Sequence, residues 1–311
     1  MKILVTGGAG FIGSHVVDAY LEQGHEVVVL DSLVTGQKEN LNPKAKFLHM
    51  DIRDQSVADV FTEQQFDVVN HHAAQMDVRK SVRDPQYDAD VNILGSLNLL
   101  ENCIRTGVKQ FIFSSTGGAI YGEQDYFPAD EKHPQRPLSP YGITKLSLEK
   151  YLYYYRQVHG LQYFILRYAN VYGPRQNPHG EAGVVAIFTK KLLDGEQPVI
   201  NGDGQQTRDY VYVKDVVQAN MAALGYPGSD VVNIGTGIET DVNTLFRELR
   251  NYTGKDKVPE QHGEAKPGEQ LRSVILNRKA GEILDWQPQY TISTGLQETV
   301  EFFRRKMQTA K

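Results

Sequence analysis

The sequence is short of cysteine, of positive charge and of long apolar runs, and each shortage excludes something. A single cysteine, Cys103, cannot form an internal disulfide, and its apolar helical surroundings predict a buried, inert thiol. The net charge of −5 leaves no general basic field, so no nucleic-acid partner is expected. No stretch is long and apolar enough to span a bilayer, so no membrane partner is expected either. No signal peptide precedes the first strand pattern, Lys2 to Thr6, and a cytoplasmic location is expected. The nine histidines lack ligand-like spacing. His71 and His72 are adjacent at a strand end and would face opposite sides, so no metal site is expected. Repeats and low-complexity tracts are also missing.

What is present is the composition of a globular protein, 40% apolar and 23% charged over 311 residues. That length suits one large domain or two ordinary ones. Apolar runs at Ile3–Thr6, Glu26–Leu30, Lys46–Met50, Asp67–His71, Gln110–Ser114 and Tyr163–Arg167 read as strands. Helical patterns lie between them at Ile12–Gln23, Val57–Gln64, Ile93–Thr106 and Tyr141–His159. This alternation predicts an α/β fold, a doubly wound parallel sheet of the Rossmann type, over residues 1–170. Beyond residue 170 glycine and proline become frequent and the elements shorten, with helices near Ala182–Leu193, Asn243–Thr253 and Thr294–Lys306. Residues 171–311 therefore read mainly as a smaller second lobe, with segments around 208–237 returning to the first. The cleft between the lobes is the expected site.

Thr6-Gly7-Gly8-Ala9-Gly10-Phe11-Ile12-Gly13 follows a strand and opens a helix. Glycines there permit a tight turn, and backbone N–H groups at a helix N-terminus can cradle a pyrophosphate. Asp31 ends the next strand, where a carboxylate accepts hydrogen bonds from the adenosine ribose and repels a 2′-phosphate. NAD is thus expected over NADP.

Tyr141-Gly-Ile-Thr-Lys145 places a phenol and an ammonium four residues apart, on one face of a helix. A nearby lysine and a positively charged nicotinamide would lower the phenol's pKa and make it a base. Tyr210-Val-Tyr-Val-Lys214 has the same spacing, but its valines alternate as in a strand, which would hold the two ends about 13 Å apart. Only the first pair is read as catalytic. Ser114-Ser115-Thr116 sets hydroxyls at the carboxyl end of a strand, where ligands bind in such sheets.

Together the glycine turn, Asp31, Asp51-Ile52, His71-x-Ala73-Ala74, Asn92, Ser114-Ser115-Thr116, Tyr141-x-x-x-Lys145 and the run from Arg167 to Arg175 resemble the extended short-chain dehydrogenases/reductases that modify nucleotide sugars. The resemblance spans essentially the whole chain. Within that group it points to the UDP-glucose (UDP-galactose) 4-epimerases, supported by the runs 114–122 and 180–188. It implies that Gly7, Gly10, Phe11, Ile12 and Gly13 hold the pyrophosphate and that Asp51 and Ile52 contact adenine. Ala73, Ala74, Asn92, Ser114 and Tyr168 would complete the NAD pocket. Tyr141 would take the proton of the sugar 4-hydroxyl while hydride passes from C4 to NAD. Thr116 would hydrogen-bond that oxygen, and Lys145 would bind the nicotinamide ribose. The resulting 4-keto sugar would turn over in the pocket and receive hydride on its other face. Asn170, Val184, Val185, Arg208, Lys266 and Glu269 would bind the UDP part of the substrate. Ser273 would line the pocket near the sugar C2 substituent, where tyrosine restricts the enzyme to glucose and galactose and serine leaves room for an N-acetyl group. The helices Ile93–Thr106 and Tyr141–His159, apolar on more than one face, would pair in a homodimer.

The sequence departs from the family pattern in places. Ser32 follows the ribose aspartate where Asn is usual, and Asn70 and His72 replace apolar residues. Lys266 and Glu269 replace an Arg and an Asp, and Asn201 stands where an aromatic ring stacks on uracil. The neighbouring activities fit less well. A 4,6-dehydratase carries an Asp-Glu pair after the threonine, where Gly117 and Gly118 cannot transfer protons, and the same pair disfavours a decarboxylase. A UDP-glucuronate epimerase needs a cation for the sugar carboxylate, and Asn177 is uncharged. A non-catalytic NAD-binding regulator would have lost the tyrosine or the lysine.

Overall fold

The computed structural model describes residues 1–179, 183–265 and 270–309, with residue 309 in backbone only. The β-branched runs become strands β1 (Lys2–Thr6), β2 (Glu26–Asp31), β3 (Lys46–His49), β4 (Val68–His71), β5 (Gln110–Thr116) and β6 (Gln162–Tyr168). Shorter strands follow: β7 (Asn170–Tyr172), β8 (Ile200–Asn201), β9 (Thr207–Tyr212), β10 (Asp230–Ile234), β11 (Glu239–Asp241), β12 (His262–Gly263) and β13 (Arg272–Ser273). Seven strands form one parallel sheet in the order β10-β6-β5-β4-β1-β2-β3. The order reverses between β1 and β4, where Thr6 pairs in register with His71, so the turns after these strands splay apart and open the binding crevice.

Alternation along β1 fills both faces. Ile3 and Val5 pack with Val16, Val17 and Tyr20 of the helix Phe11–Glu22 and with Val216 and Ala219 of the helix Val213–Ala223. Leu4 points the other way, toward Phe61, Leu99, Leu100, Cys103, Leu148 and Leu152 of the helices Val57–Gln64, Gly95–Thr106 and Pro140–His159. Each fully buried Leu or Phe is worth roughly 1.5–3 kcal/mol. Cys103 is fully buried and unpaired, and burial pushes its thiol well above the ordinary range. A third core, around Tyr172, Val185, Phe188, Leu245, Phe246 and Leu296, lies under the smaller sheet β11-β9-β13, to which β7 adds.

Four features depart from the sequence expectation. β5 extends to Thr116. The helix expected from Ile93 begins regularly at Gly95, after a π-helical turn over Asp90–Leu94. Val213 starts a helix instead of continuing a strand, since its valines Val213, Val216 and Val217 are spaced to bury one helical face. The main sheet also takes its edge strand β10 from 230–234, a five-residue run too short to announce itself among turns. Within the stretch 208–237, β9 belongs to the small sheet, while the Val213–Ala223 helix and β10 lie with the large one. Among the described residues no helix is long and apolar enough to cross a membrane, and no cluster of three metal-ligating side chains occurs.

Candidate active site

The glycine turn is shaped by close backbone contact. Gly7 has φ +70°, and a Cβ on it would fall 2.6 Å from the Ala73 nitrogen. A Cβ on Gly13 would fall 2.3 Å from the Gly7 oxygen. Larger residues at either position would push the turn off its strand. Gly10 caps the helix Phe11–Glu22 with no side-chain cap, and the first turn carries no acidic residue. The free N–H groups at Phe11 and Ile12 therefore face the crevice with the positive end of the helix dipole, as a pyrophosphate requires.

Asp31 is buried at the end of β2. Its oxygens accept from the N–H groups of Ala9 at 3.0 Å and Leu33 at 2.8 Å. One bond to each oxygen leaves lone pairs for ribose hydroxyls. Burial raises its pKa, opposed by these two N–H groups. Glycine turn and carboxylate together fit a dinucleotide. Asp51 is gripped by Arg53, whose Nε and Nη2 donate to it at 2.9 and 2.8 Å and hold its carboxyl below the usual range. Ile52 is buried against Gly95, and its carbonyl accepts from Asn98 at 2.8 Å. Ala73 and Ala74 follow β4, and the Ala73 backbone lies against Gly7 of the glycine turn. Asn92 lies deeper. Its amide bonds to the backbone of Gln75 on both sides, at 2.8 and 2.9 Å, and reaches Asp88 and Thr144.

Tyr141 and Lys145 lie on the helix Pro140–His159, started by Pro140 in its first turn and by the Ser139 cap on the Gly142 N–H. Lys145 Nζ donates to the Ser114 carbonyl at 2.8 Å and sits 5.9 Å from the centre of the Tyr141 ring. Burial lowers Lys145 to about 8, opposed by Asp88 and Glu149. Burial, and then Asp88, push the Tyr141 phenol above its ordinary value. The Tyr141 N–H is itself held by the buried Ser81 hydroxyl at 3.2 Å. Thr116 ends β5. A Cβ on Gly118 would lie 3.9 Å from Thr116 Oγ1 and 3.3 Å from Asn170 Oδ1, so those two polar groups converge over the glycine pair. Tyr168 ends the neighbouring strand β6 in register with Thr116. By contrast, Tyr210 is fixed in β9 and Lys214 pairs with Glu298 at 2.7 Å, so the second Tyr-x-x-x-Lys spacing makes no such site.

On the substrate side, Asn170 is exposed at the start of β7, and Val184 and Val185 open the helix Val184–Asp194 behind Gly183. Arg208, in β9, is in register with Ser273 of β13. Ser273, in the edge strand β13, is only 3% exposed. Lys266 and Glu269 lie outside the described residues.

Several supports escaped the sequence reading. Glu149 stands one turn beyond Lys145 on the same helical face. It accepts from Arg167 Nε at 3.0 Å and Nη2 at 2.5 Å and from Ser115 Oγ at 2.6 Å, all buried. Ser115 and Arg167 are partners across β5 and β6, so one carboxylate locks the catalytic helix to two strands. The i, i+4, i+8 spacing of Tyr141, Lys145 and Glu149 was the available signal. His15 Nε2 donates to the Pro174 carbonyl at 2.9 Å and Asp18 pairs with Arg175 at 2.7 Å, tying the glycine-turn helix to the Gly-Pro-Arg turn. No spacing rule joins residues that far apart.

The sequence pattern of the NAD dependent epimerase/dehydratase family matches residues 3–235. A UDP-glucose 4-epimerase of Mycolicibacterium smegmatis is 44% identical, covering 99% of this chain and 100% of its own. The crystal structure of UDP-glucose 4-epimerase from Thermotoga maritima with UDP-glucose superposes with a TM-score of 0.97 at 51% identity, over 99% of this chain and 100% of that one. The Thermus thermophilus UDP-glucose 4-epimerase in complex with NAD gives 0.92 at 43% identity, over 98% and 99%. With a dinucleotide turn, a Tyr–Lys pair at the strand ends and likeness along its full length, the chain belongs to the NAD-dependent epimerase/dehydratase family.

Proposed function

We propose that this chain is a 4-epimerase of UDP-hexoses, interconverting UDP-glucose and UDP-galactose through a 4-keto sugar. The observation that carries the reading is an intact Tyr141–Lys145 pair beside a proton-inert glycine pair. At Gly117 a Cβ would already fall 2.8 Å from Ile275 Cδ1, so the acidic side chain of a dehydratase would have to displace the Ile275 side chain. What remains suits a cycle of oxidation and reduction at one carbon, without elimination.

When bound, NAD supplies the acceptance and return of hydride at C4. The protein's own residues do the rest. The glycine turn and Asp31 bind and orient the dinucleotide. Thr116 Oγ1 and Tyr141 OH hold the C4 oxygen, and Tyr141 takes its proton and later returns it. Lys145, anchored on the Ser114 carbonyl, keeps positive charge beside the phenol and favours its ionised form. Asn170, Arg208, Val184 and Val185 hold the nucleotide while the sugar turns, together with Lys266 and Glu269. Ser273 gives the C2 position a small buried wall, which also admits UDP-N-acetylhexosamines. Residues 1–170 with the 213–234 segment form the cofactor lobe, and the remainder forms the sugar-nucleotide lobe. Two copies pair through the Gly95–Thr106 and Pro140–His159 helices, where Ile143, Tyr153, Tyr154 and Val158 are about half exposed. A cytoplasmic location suits the absence of any need for disulfides. A panel of nucleotide sugars with products identified by NMR tests the reading. Interconversion of the UDP-hexoses is expected, and a dehydrated or decarboxylated product would overturn it.

A further inference from the structure

Two of the residues that depart from the family pattern, Asn70 and His72, stand at opposite ends of one buried hydrogen-bonded chain. Its direction can be worked out from donors and acceptors. Asn220 Nδ2 lies 2.8 Å from the Val216 carbonyl, which can only accept, so the amide nitrogen must face that side. Its second hydrogen goes to Tyr168 OH at 2.8 Å. Asn220 Oδ1 accepts from Asn70 Nδ2 at 2.9 Å, and Asn70 also donates to Tyr20 OH at 2.8 Å. Tyr20, Asn70 and Asn220 are fully buried, so water cannot reorient them. Tyr168, accepting from Asn220, keeps its own hydrogen for Ser114 Oγ at 3.3 Å. Ser114 Oγ then donates to His72 Nδ1 at 2.7 Å. His72 Nε2 has no partner among the described residues in either direction, and the reverse direction would in addition leave the buried Tyr168 hydrogen without an acceptor.

The chain thus ends on an imidazole that accepts at Nδ1 and carries its proton on Nε2. Burial, reinforced by Lys145, pushes His72 down to about 3, so it stays neutral. The residue it clamps, Ser114, is the one whose carbonyl holds Lys145 Nζ. We propose that His72, the terminal acceptor of a relay that begins at Asn70, is a positioning residue for the catalytic lysine and acts by fixing Ser114. An apolar residue at this place could not hold the serine hydroxyl. The inference rests on the reading of Lys145 as catalytic, but its first test does not involve the sugar at all.

That test is 15N NMR of histidine-labelled, NAD-loaded protein at neutral pH, with His72 assigned by its loss in His72→Asn. The Nε2–H form is expected in the wild type, and Asn220→Leu, which removes the donor that orients Tyr168, should let the Nδ1–H form appear. The second test uses turnover of UDP-galactose. His72→Leu should lower kcat roughly tenfold with KM unchanged, the size of one lost oriented hydrogen bond. His72→Asn, whose amide oxygen replaces Nδ1, should recover most of the loss. A dominant Nδ1–H form in the wild type, a tautomer indifferent to Asn220→Leu, or an undiminished kcat in His72→Leu would each overturn the proposal. If His72→Leu does not fold, the wild-type and Asn220→Leu spectra still decide it.

Discussion

Tyr141 and Lys145 stand one helical turn apart, with the ammonium 5.9 Å from the centre of the phenol ring, and burial drives both toward their neutral forms. The phenol is pushed above its ordinary value and the lysine falls to about 8. Lysine alone thus leaves the base unprimed, and the positive charge that an oxidised nicotinamide carries is the natural second cation. Base formation would then be tied to the oxidised cofactor, which prevents idle proton transfer.

The buried lysine makes a stability prediction. Its folded-state pKa, about 8, is below the 10.5 of an unfolded chain. The unfolded state therefore binds more protons between these values, and stability rises with pH across that window. Lys145→Met should abolish turnover yet raise stability at pH 7 by about 1–3 kcal/mol, because a costly buried charge is removed. Urea unfolding at pH 7 checks this. A variant less stable than the wild type would mean that the bond to Ser114 outweighs the desolvation cost.

In the proposed reading Asp31 sets cofactor choice. Asp31→Asn removes a ribose contact and a repulsion toward a 2′-phosphate. NAD affinity should fall roughly tenfold and NADP affinity should not fall with it. Titration of cofactor-stripped protein by calorimetry measures both. Tighter binding of NADP than NAD by the wild type would contradict the role given to this carboxylate.

Much of this was legible in the sequence because it is local. The glycine turn, Asp31 and the Tyr141–Lys145 pair each lie within one β-α unit, where spacing translates directly into geometry. The strand placement of Tyr210 was legible for the same reason, since alternation around it is a short-range signal. What stayed hidden depends on tertiary contact. Glu149 joins Ser115 and Arg167 only after β5 and β6 pair, and β10 finds its place only by adding to β6. The relay from Asn70 to His72 passes through Asn220, 150 residues away in the chain from Asn70. No periodicity encodes such a meeting.

In the proposed reading Ser273 sets sugar size. Its burial beside β9 leaves a small wall at the position argued to face the C2 substituent. Ser273→Tyr should abolish turnover of UDP-N-acetylglucosamine, since a clash excludes the larger group outright. The glucose and galactose pair should lose only a few-fold, roughly one altered contact. Rates on both substrate pairs check it, and equal losses on the two would remove Ser273 from the pocket.

The exposed Ile143, Tyr153, Tyr154 and Val158 of the Pro140–His159 helix predict association. Light scattering at micromolar concentration should give twice the 35.0 kDa chain mass. Tyr153→Glu combined with Val158→Lys should shift the particle toward the single chain, because both positions are exposed and charge there is costly only in an interface. A 35.0 kDa particle for the wild type would end this part of the account.

The central claim is that Tyr141 moves the proton in a redox-neutral epimerisation, and the sequence supplies its own control in Tyr210. The direct measurement is the conversion of UDP-galactose to UDP-glucose, followed by NMR, in the wild type, Tyr141→Phe and Tyr210→Phe. Tyr141→Phe should lose ~10²–10⁴ in kcat, as expected for removal of a general base. Tyr210→Phe, altered in a strand of the other lobe, should keep kcat within a few-fold of the wild type. Equal losses of kcat in the two folded variants, or no conversion by the wild type, would contradict the account.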